Sequence, residues 1–411
     1  MSLNTLSAAI NGRYKFMMNN KCDNYKNVTD ADNLFAAYKA ARQGCTWKGQ
    51  VQKYSMDFLF NLRELQKELE SGTYKDSEKR EFVLRERGKT RLIRASAFKD
   101  RIVRHSLCDN VLTPALKPYL IYDNCASLKG RGVTMARNRL KVHLHRFYRK
   151  YQSNEGYILL MDFSSYYDNV RHDLLLAAVK KHIKDERILK LLEQIIAGFR
   201  PDVSFLSDEE AAALYHGKYK ALNFKDIPRK LKTGQKYLDK SMDIGDQSSQ
   251  ILSVFFPTPI DNLIKIVEGE PFYGRYMDDS YIISRSKERL KYLFERIKVV
   301  AAELGIIINE RKTRIVKLSR TFRYMQNKYF LTETGKVVER ANPQRITAMR
   351  RKMKRLEATL ESGRIQLADV ERMYSSWRGN YYRIMSKAQR LNIDNVYNKL
   401  IGGRQNEAIR I

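Results

Sequence analysis

Residues 272–283 have the sequence FYGRYMDDSYII, in which the adjacent aspartates Asp278 and Asp279 separate two short apolar segments. Aromatic and β-branched residues on both sides are typical of strands, so the pattern predicts a β-hairpin with the aspartates at its tip. Neighbouring carboxylates repel each other, and a divalent cation removes this penalty. Mg²⁺ is commonly held by one or two carboxylates together with substrate phosphates. The hairpin therefore predicts a phosphoryl-transfer site, with a solvated acidic turn as the simpler alternative.

A third carboxylate, Asp162, follows the apolar segment YILLM at residues 157–161. An apolar segment that ends in aspartate predicts a buried strand that delivers a carboxylate at its exit. Two such strands side by side would bring Asp162 to Asp278 and Asp279. Two metal ions held there could bridge the attacking 3′-oxygen and the leaving pyrophosphate. The alternative is that Asp162 only forms a turn, but the presence of both motifs in one chain favours the catalytic interpretation.

Around these residues the chain resembles a reverse transcriptase, of the bacterial lineage that includes group II intron and diversity-generating retroelement enzymes. The resemblance extends from about Phe58 to about Lys399, and its motifs follow the family's order. Before the hairpin they are a basic fingers block, a second finger motif, the first catalytic motif and a template- and nucleotide-binding loop, at residues 89–103, 122–132, 162–168 and 244–250. After it they are a motif that contains Lys312 and a primer-grip turn, at residues 305–314 and 322–325.

The resemblance implies roles for five residues besides the carboxylates. Arg91 would bind the incoming triphosphate, because a guanidinium pairs with phosphate oxygens and stays charged; a solvated surface arginine is the alternative. Tyr167 would exclude a 2′-hydroxyl and select deoxynucleotides, unless it is a core aromatic. Gly245 would let the backbone approach the base pair, and Gln250 would shape the nucleotide pocket. Lys312 would protonate pyrophosphate as it leaves, or only attract it.

The resemblance also implies the metal ligands. Asp162, Asp278 and Asp279 would hold two Mg²⁺ ions, with Mn²⁺ as an alternative, and Phe163 would belong to the same metal- and nucleotide-binding site. Arg101 is a weaker candidate, either for a backbone contact or for a salt bridge.

The nucleotide-binding loop departs from many relatives, which have Gln before the glycine and Pro at the end of the motif. Here these positions hold Ile244 and Gln250. This form resembles the diversity-generating retroelement branch, whose enzymes copy RNA with frequent errors, and Ile cannot hydrogen-bond the nucleotide or template as Gln can. Some bacterial antiviral defence reverse transcriptases, which act on a non-coding RNA, vary here too. Both roles stay open, as does an RNA-binding scaffold or maturase without chemistry.

The 411-residue chain has a net charge of +31, and its Lys and Arg residues are spread over all regions. This charge fits a groove for a nucleic-acid backbone, so we expect an RNA template, an RNA–DNA hybrid and dNTPs as partners. A dedicated non-coding RNA or a small basic accessory protein could join them, and no oligomeric state is predicted. Scattered cysteines, no signal-peptide pattern and no bilayer-spanning segment lead us to expect a cytoplasmic protein with reduced thiols and no membrane contact.

The expected fold is an α/β (α+β) right-hand polymerase, in which fingers and a palm with an antiparallel catalytic sheet precede a helical thumb. We expect an N-terminal extension at residues 1–55, fingers at 56–155, a palm at 156–330 and a thumb at 331–411. Within the palm, residues 201–243 form an insertion that binds a dedicated RNA or a partner, or is a solvated loop.

The periodicity of apolar residues predicts helices and two finger strands around Gly88. A thumb turn is expected at SWRGN, residues 376–380, and the basic helix before it could instead form a coiled coil, although it lacks a clean heptad seam. The helices are predicted at residues 30–42, 56–72, 98–112, 134–151, 171–199, 208–215, 250–267, 286–304 and 345–362.

Overall fold

A computed structural model describes residues 22–86 and 88–408. The first 21 residues of the expected N-terminal extension and the last three of the expected thumb lie outside this range. Helices and antiparallel sheets alternate along the chain, as predicted. The strands are β1 (Arg80–Glu86), β2 (Lys89–Ala95), β3 (Tyr157–Met161), β4 (Tyr273–Tyr276), β5 (Asp279–Ser284), β6 (Arg314–Lys317), β7 (Phe322–Tyr324), β8 (Asn327–Leu331) and β9 (Val337–Arg340).

The central sheet has the strand order β4-β5-β3-β6, and its neighbouring strands are antiparallel. Strand β3 is apolar throughout because both of its faces are covered. Leu159 and Met161 belong to one hydrophobic cluster, and Ile158 and Leu160 belong to another on the opposite face. This alternation follows from the two-residue period of a strand. The predicted buried strand before Asp162 is therefore confirmed.

The other strands form one hairpin and one three-stranded sheet. Strands β1 and β2 form the predicted finger hairpin around Gly88, and β7, β8 and β9 form a separate antiparallel sheet. Met325 and Gln326 connect β7 to β8 with φ of 42° and 70°, which suits a two-residue hairpin turn. The expected primer-grip position is therefore a tight turn.

The α-helices include the predicted one after Asp30, whose carboxylate caps it, and the one that ends at Gly72, where φ is 72°. The longer ones before the thumb are α1 (Ala31–Arg42), α2 (Gly49–Met56), α3 (Phe58–Ser71), α4 (Phe98–Leu107), α5 (Val133–Tyr151), α6 (His172–Lys180), α7 (Glu186–Ala197), α8 (Asp208–His216), α9 (Gln247–Phe255) and α10 (Lys287–Glu303). Short helical segments, which we leave without labels, are Lys26–Thr29, Cys108–Leu112, Thr113–Leu116, Lys117–Tyr119, Tyr166–Asn169, Ala221–Phe224, Arg229–Leu231, Thr258–Asn262 and Leu263–Val267.

Two long helices were predicted wrongly as continuous. The segment 171–199 is divided into α6 and α7, because Asp185 leaves the helical conformation and its side chain caps α7. The segment 250–267 is divided after Phe255, because Pro257 has no N–H to continue the hydrogen-bond ladder. In the helix predicted at 98–112, a π-helical turn replaces the α-helix from Cys108.

The C-terminal helices α11 (Pro343–Glu361), α12 (Leu367–Tyr381) and α13 (Lys387–Ala408) share one apolar cluster. Met353, Tyr374 and Ile393 are buried in it, so the apolar face of α11 packs within the chain. This packing favours the helical-bundle prediction over the coiled-coil alternative. The turn predicted at residues 376–380 is wrong, because this segment lies inside α12. A single 3-10 turn, Tyr382–Ile384, follows α12.

Two of the sequence predictions concern the cysteines, which we expect to be reduced, and the helices, none of which we expect to span a bilayer. Cys22, Cys45, Cys108 and Cys125 are free, and all but Cys22 are buried. In the described ranges, the helices lack the combination of length and apolar character that crossing a bilayer requires.

The β4–β5 hairpin rests on a fully buried ion pair between Arg275 of β4 and Asp261. The guanidinium makes two hydrogen bonds to the Asp261 carboxylate, of 2.8 and 2.6 Å. It also donates to the carbonyl of Val254 at 2.8 Å and to that of Met277 in the hairpin turn at 3.1 Å. Tyr273 adds a 2.5 Å hydrogen bond to Asp261. Arg275 therefore joins the turn between the strands to the helical layer beneath the sheet.

We expect Arg275→Met to lower the free energy of unfolding by about 3–5 kcal/mol, because Asp261 stays buried without its cation. Urea denaturation measures this loss. Arg372→Met, which removes an exposed ion pair with Asp369, should cost less than about 1 kcal/mol. Replacing both buried partners, with Arg275→Met and Asp261→Leu, should restore part of the stability. Equal losses for the Arg275 and Arg372 variants would contradict the role of the buried pair.

Candidate active site

The strand register brings the three predicted carboxylates to one end of the central sheet. Met161 of β3 pairs with Ser280 of β5, so Asp162, which follows β3, and Asp279, the first residue of β5, lie at the same end of the sheet. Tyr276 pairs with Asp279, which leaves Met277 and Asp278 as a two-residue turn. Met277 has φ of 55°, a conformation that non-glycine residues rarely adopt and that is concentrated at functional sites. The predicted hairpin with both aspartates at its tip is confirmed.

The carboxylates act on one another electrostatically. Burial, together with the charges of Asp278 and Asp162, raises the pKa of Asp279 to about 7. Burial and the charge of Asp162 also raise the pKa of Asp278. The cations of Lys312 and Lys89 oppose both shifts. The site therefore holds excess negative charge that a bound cation would neutralise.

Asp162 is fixed by the segment that follows α10. Asn309 donates its backbone N–H to the Asp162 carbonyl at 2.8 Å and its side-chain amide to the carboxylate at 3.1 Å. Lys312 donates to the same carboxylate oxygen at 2.6 Å. Burial works against the charged amine, but the bond to Asp162 raises the pKa of Lys312 overall. Lys312 is thus held protonated beside the carboxylates.

The fit of a divalent metal rests on the chemistry of the donor set. Among the described residues, no three His, Cys, Asp or Glu side chains are gathered closely enough to form a metal cluster as they stand. One oxygen of Asp162 is directed at Lys312 and Asn309. The strand register nevertheless brings three carboxylates to one end of the sheet, and the charge of Asp162 contributes to the raised pKa values of Asp278 and Asp279. Carboxylate oxygens are the donor type that Mg²⁺ prefers. Phe163, predicted in the same site, is buried and bridges to Ile308.

Tyr167 lies beside the hairpin and the nucleotide-binding loop. Its hydroxyl is 3.0 Å from Oγ of Ser253, which donates to the carbonyl of Gln250 at 3.0 Å. The same Ser253 hydroxyl contacts the sulfur of Met277 at 3.8 Å. Tyr166, by contrast, is buried and donates to the Ser253 carbonyl, as a core aromatic would. Ser253 therefore joins three elements of the site, and no motif in the sequence singled it out.

Gly245 has φ of 95°, and a Cβ atom there would meet no atom within 4 Å. The residue is exposed, so this turn of backbone is open to an approaching ligand. Asp246 then caps α9, where its carboxylate accepts from the N–H groups of Ser248 and Ser249. Gln250 is half-buried on this helix, and Ile244 is half-buried before the turn. The predicted loop is present, with glycine at the position where the left-handed conformation requires it.

Arg91 lies on β2, opposite Leu84 and half-buried. Residues two apart share a face of a strand, so Arg91 is on the same face as Lys89, whose charge acts on Asp278 and Asp279. Lys89 is a site residue that the sequence prediction did not single out, although strand alternation could have found it. Arg101 instead donates to the Ala41 carbonyl at 2.7 Å, so the backbone that it contacts is the protein's own.

A buried charge network attaches the nucleotide-binding loop to the fingers. Asp243 lies 2.6 Å from Lys79, which directly precedes β1, and 2.6 Å from Arg94 of β2. Arg104 of α4 pairs with Asp76 and, at 3.1 Å, with Asp246. These partners are more than a hundred residues apart in several cases, so no local pattern pointed to them. The position of the Gly245 turn therefore depends on the fingers.

We expect the ionisation of Asp279 to destabilise the metal-free protein as the pH rises from about 4 to about 7, whereas His172 and His182, whose pKa values burial lowers to about 4, contribute in the opposite sense. The contribution of Asp279 is the difference between the thermal midpoints of the wild type and Asp279→Asn. The pKa of Asp279 is raised above its ordinary value of 3.8, so the folded state retains a proton that the unfolded state releases. Above this range, Mg²⁺ should raise the midpoint by about 2–4 °C, and by less at pH 5.5, where protons compete with it. Differential scanning calorimetry measures both effects.

Asp279→Asn removes the repelling charge, so it should raise the metal-free midpoint at pH 8 and weaken the response to Mg²⁺. Asp226→Asn, which changes a carboxylate of the insertion that is 84% exposed, is the matched control and should follow the wild type. A pH profile of Asp279→Asn identical to that of the wild type would show that this carboxyl does not titrate as expected.

A family model described as reverse transcriptase (RNA-dependent DNA polymerase) matches residues 77–326. No curated protein matches.

Several solved structures of telomerases are similar at low identity. For the telomerase of Candida albicans in complex with a TWJ fragment of telomeric RNA, the identity is 9% and the TM-score 0.42, over 64% of this chain and 45% of that one. For the apo telomerase of Candida tropicalis they are 12% and 0.44, over 64% and 47%. For the same enzyme truncated from its C-terminal domain they are 12% and 0.45, over 68% and 60%. The matched region spans less than two thirds of each telomerase chain.

Proposed function

The chain belongs to the reverse transcriptase (RNA-dependent DNA polymerase) family, and we propose that it makes cDNA by extending a primer on an RNA template with Asp162, Asp278 and Asp279 as its catalytic carboxylates. The observation that carries this proposal is the β3–β5 register, which places Asp162 beside the aspartates of the hairpin. The raised pKa values of Asp278 and Asp279 support it, because after burial the charge of Asp162 contributes to both shifts.

In the proposed reaction, the primer 3′-oxygen attacks the α-phosphorus of a dNTP. A new P–O bond forms, the bond from the α-phosphorus to the bridging oxygen breaks, and pyrophosphate leaves. Mg²⁺ ions held by Asp162, Asp278 and Asp279 would lower the pKa of the 3′-hydroxyl and neutralise charge on the phosphates. The 3′-hydroxyl loses its proton to water.

The residues around the carboxylates serve this reaction in distinct ways. Lys312, protonated and 2.6 Å from Asp162, can donate a proton to pyrophosphate or attract it electrostatically. Lys89 and Arg91, on one face of β2, present cations to the triphosphate. The Gly245 turn and Gln250 line the nucleotide.

Primer extension tests the activity. Wild-type protein with a primed RNA template, dNTPs and Mg²⁺ should give DNA product, and Asp278→Ala should reduce the rate by at least about 10³-fold, because a proposed metal ligand is lost. Asp226→Asn, a change on the exposed surface of the insertion, should retain the wild-type rate. If Asp278→Ala supported the protein's biological activity in full, a scaffold or maturase role without chemistry would be the better explanation.

Tyr167 is proposed to select deoxynucleotides by its ring, which the bond to Ser253 holds in place. Tyr167→Ala should raise the incorporation of ribonucleotides relative to deoxynucleotides by about tenfold or more, because the steric barrier to a 2′-hydroxyl is removed. Tyr167→Phe keeps the ring and should stay close to the wild type. The ratio of kcat/KM for dNTP and rNTP measures the effect, and an unchanged ratio in Tyr167→Ala would assign the residue to the core.

The biological role is proposed to be mutagenic copying of a dedicated RNA in a diversity-generating retroelement. Ile244 and Gln250 support this proposal, because an apolar residue before Gly245 cannot hydrogen-bond the base pair. Antiviral defence, with a non-coding RNA as template, is the second candidate. Sequencing the cDNA made with co-purified RNA separates the two: errors concentrated at adenines favour diversification, and repeated or homopolymeric products favour defence.

A further inference from the structure

The insertion at residues 201–243 packs against the first catalytic motif. It is not the solvated loop of the simpler expectation, because Val203, Tyr219 and Leu238 are buried in a small apolar cluster of their own. Asn169 of the palm accepts from the backbone N–H of Tyr219 and donates to its carbonyl, both at 2.9 Å. The same Asn169 amide donates to the carbonyl of Ser165 at 2.9 Å. Asn169 therefore links the insertion to the stretch between Asp162 and Tyr167.

One residue of this segment, Lys218, reaches the exit of strand β3. Its ammonium donates a 2.5 Å hydrogen bond to Oγ of Ser164, two residues after Asp162. Ser164 itself is only 8% exposed, and its N–H donates to the carbonyl of Ile307. An exposed lysine normally extends into water, since fixing its long side chain costs conformational entropy. Here the side chain instead folds back onto the catalytic motif.

Lys218 and Lys312 contact the same short stretch of chain. Lys312 binds the carboxylate of Asp162, which neutralises its charge. In the part of the chain that the structure describes, Lys218 forms no ion pair with an aspartate or glutamate, and its neighbour on the palm is a neutral hydroxyl. Lys218 is also solvent-exposed. Its positive charge is therefore available to a ligand that lies along residues 162–167.

The nucleotide proposed above would lie along this stretch. Its α-phosphate would be at Asp162 and its sugar against Tyr167. The β- and γ-phosphates, which continue from the α-phosphate, would then be within reach of the residues that follow Asp162, among them Ser164, to which Lys218 is bonded. A triphosphate brings several negative charges to carboxylates that already repel one another, so it needs cations on its outer side. Lysine is a common point-charge partner of phosphate.

We propose that Lys218 of the insertion binds the β- or γ-phosphate of the incoming dNTP. This inference rests on the proposed polymerase function and assigns to the insertion a wall of the nucleotide site. Lys218 exchanges its bond to Ser164 for one to a phosphate oxygen, and the Asn169–Tyr219 bonds keep the segment in place.

Equilibrium binding tests the proposal without turnover. The protein is bound to an RNA template with a dideoxy-terminated primer and Mg²⁺, and dTTP and dTMP are titrated opposite a template adenine. Lys218→Ala should weaken dTTP binding by about tenfold and leave dTMP binding unchanged, and Lys218→Arg should restore most of the loss. Lys220→Ala is the matched control: this lysine is exposed on the same segment, its charge acts on Asp168, and the variant should bind dTTP as the wild type does.

The outcomes separate this inference from the function on which it rests. If the wild type binds no dTTP and extends no primer, the polymerase proposal fails and this inference fails with it. If the wild type binds dTTP and Lys218→Ala binds it equally well, only the role of Lys218 is wrong. Equal losses for dTTP and dTMP, or the same loss in Ser164→Ala, would show that Lys218 merely positions the catalytic motif.

Discussion

The buried pair between Arg275 and Asp261 is the interaction on which the site depends. A two-residue turn with adjacent aspartates is unfavourable in itself, because Asp278 and Asp279 repel each other and Met277 has a positive φ. The Arg275 guanidinium binds the Met277 carbonyl in that turn and the Asp261 carboxylate beneath it. A buried ion pair adds little net stability compared with apolar packing, but breaking one partner is costly. The pair therefore specifies a geometry that the turn would not adopt by itself.

Charge repulsion at the hairpin tip is balanced by cations from separate parts of the chain. Lys312 comes from the segment after α10 and Lys89 from the finger hairpin. Lys218 of the insertion is bonded to Ser164, two residues after Asp162. Each is held at a different point, and none is adjacent in sequence to the carboxylates. A substrate that carries its own negative charge and its own metal ions can displace part of these contacts. The free protein thus has the cationic surroundings of a nucleotide site before the nucleotide arrives.

The parts of this architecture that could be predicted from sequence are those with a local pattern. The apolar segment before Asp162, the hairpin at residues 272–283 and the capped helix after Asp30 all follow from periodicity and end signals within a few residues. The continuous helix predicted at 171–199 was wrong because a single capping aspartate outweighs apolar periodicity. The partners of Arg275 and Asp243 could not be predicted, since an ion pair between distant residues leaves no local signal.

The insertion shows that a segment lying between two sequence motifs can still form part of the site that the motifs build. Sequence comparison places residues 201–243 between two motifs and suggests an appendage. In the fold, its Tyr219 backbone pairs with Asn169, and its end, Asp243, is fixed by Lys79 and Arg94 of the fingers. The segment thus contacts Asn169 of the palm through its middle and the residues of the finger hairpin through its C-terminal end. One insertion therefore contacts both walls of the proposed pocket.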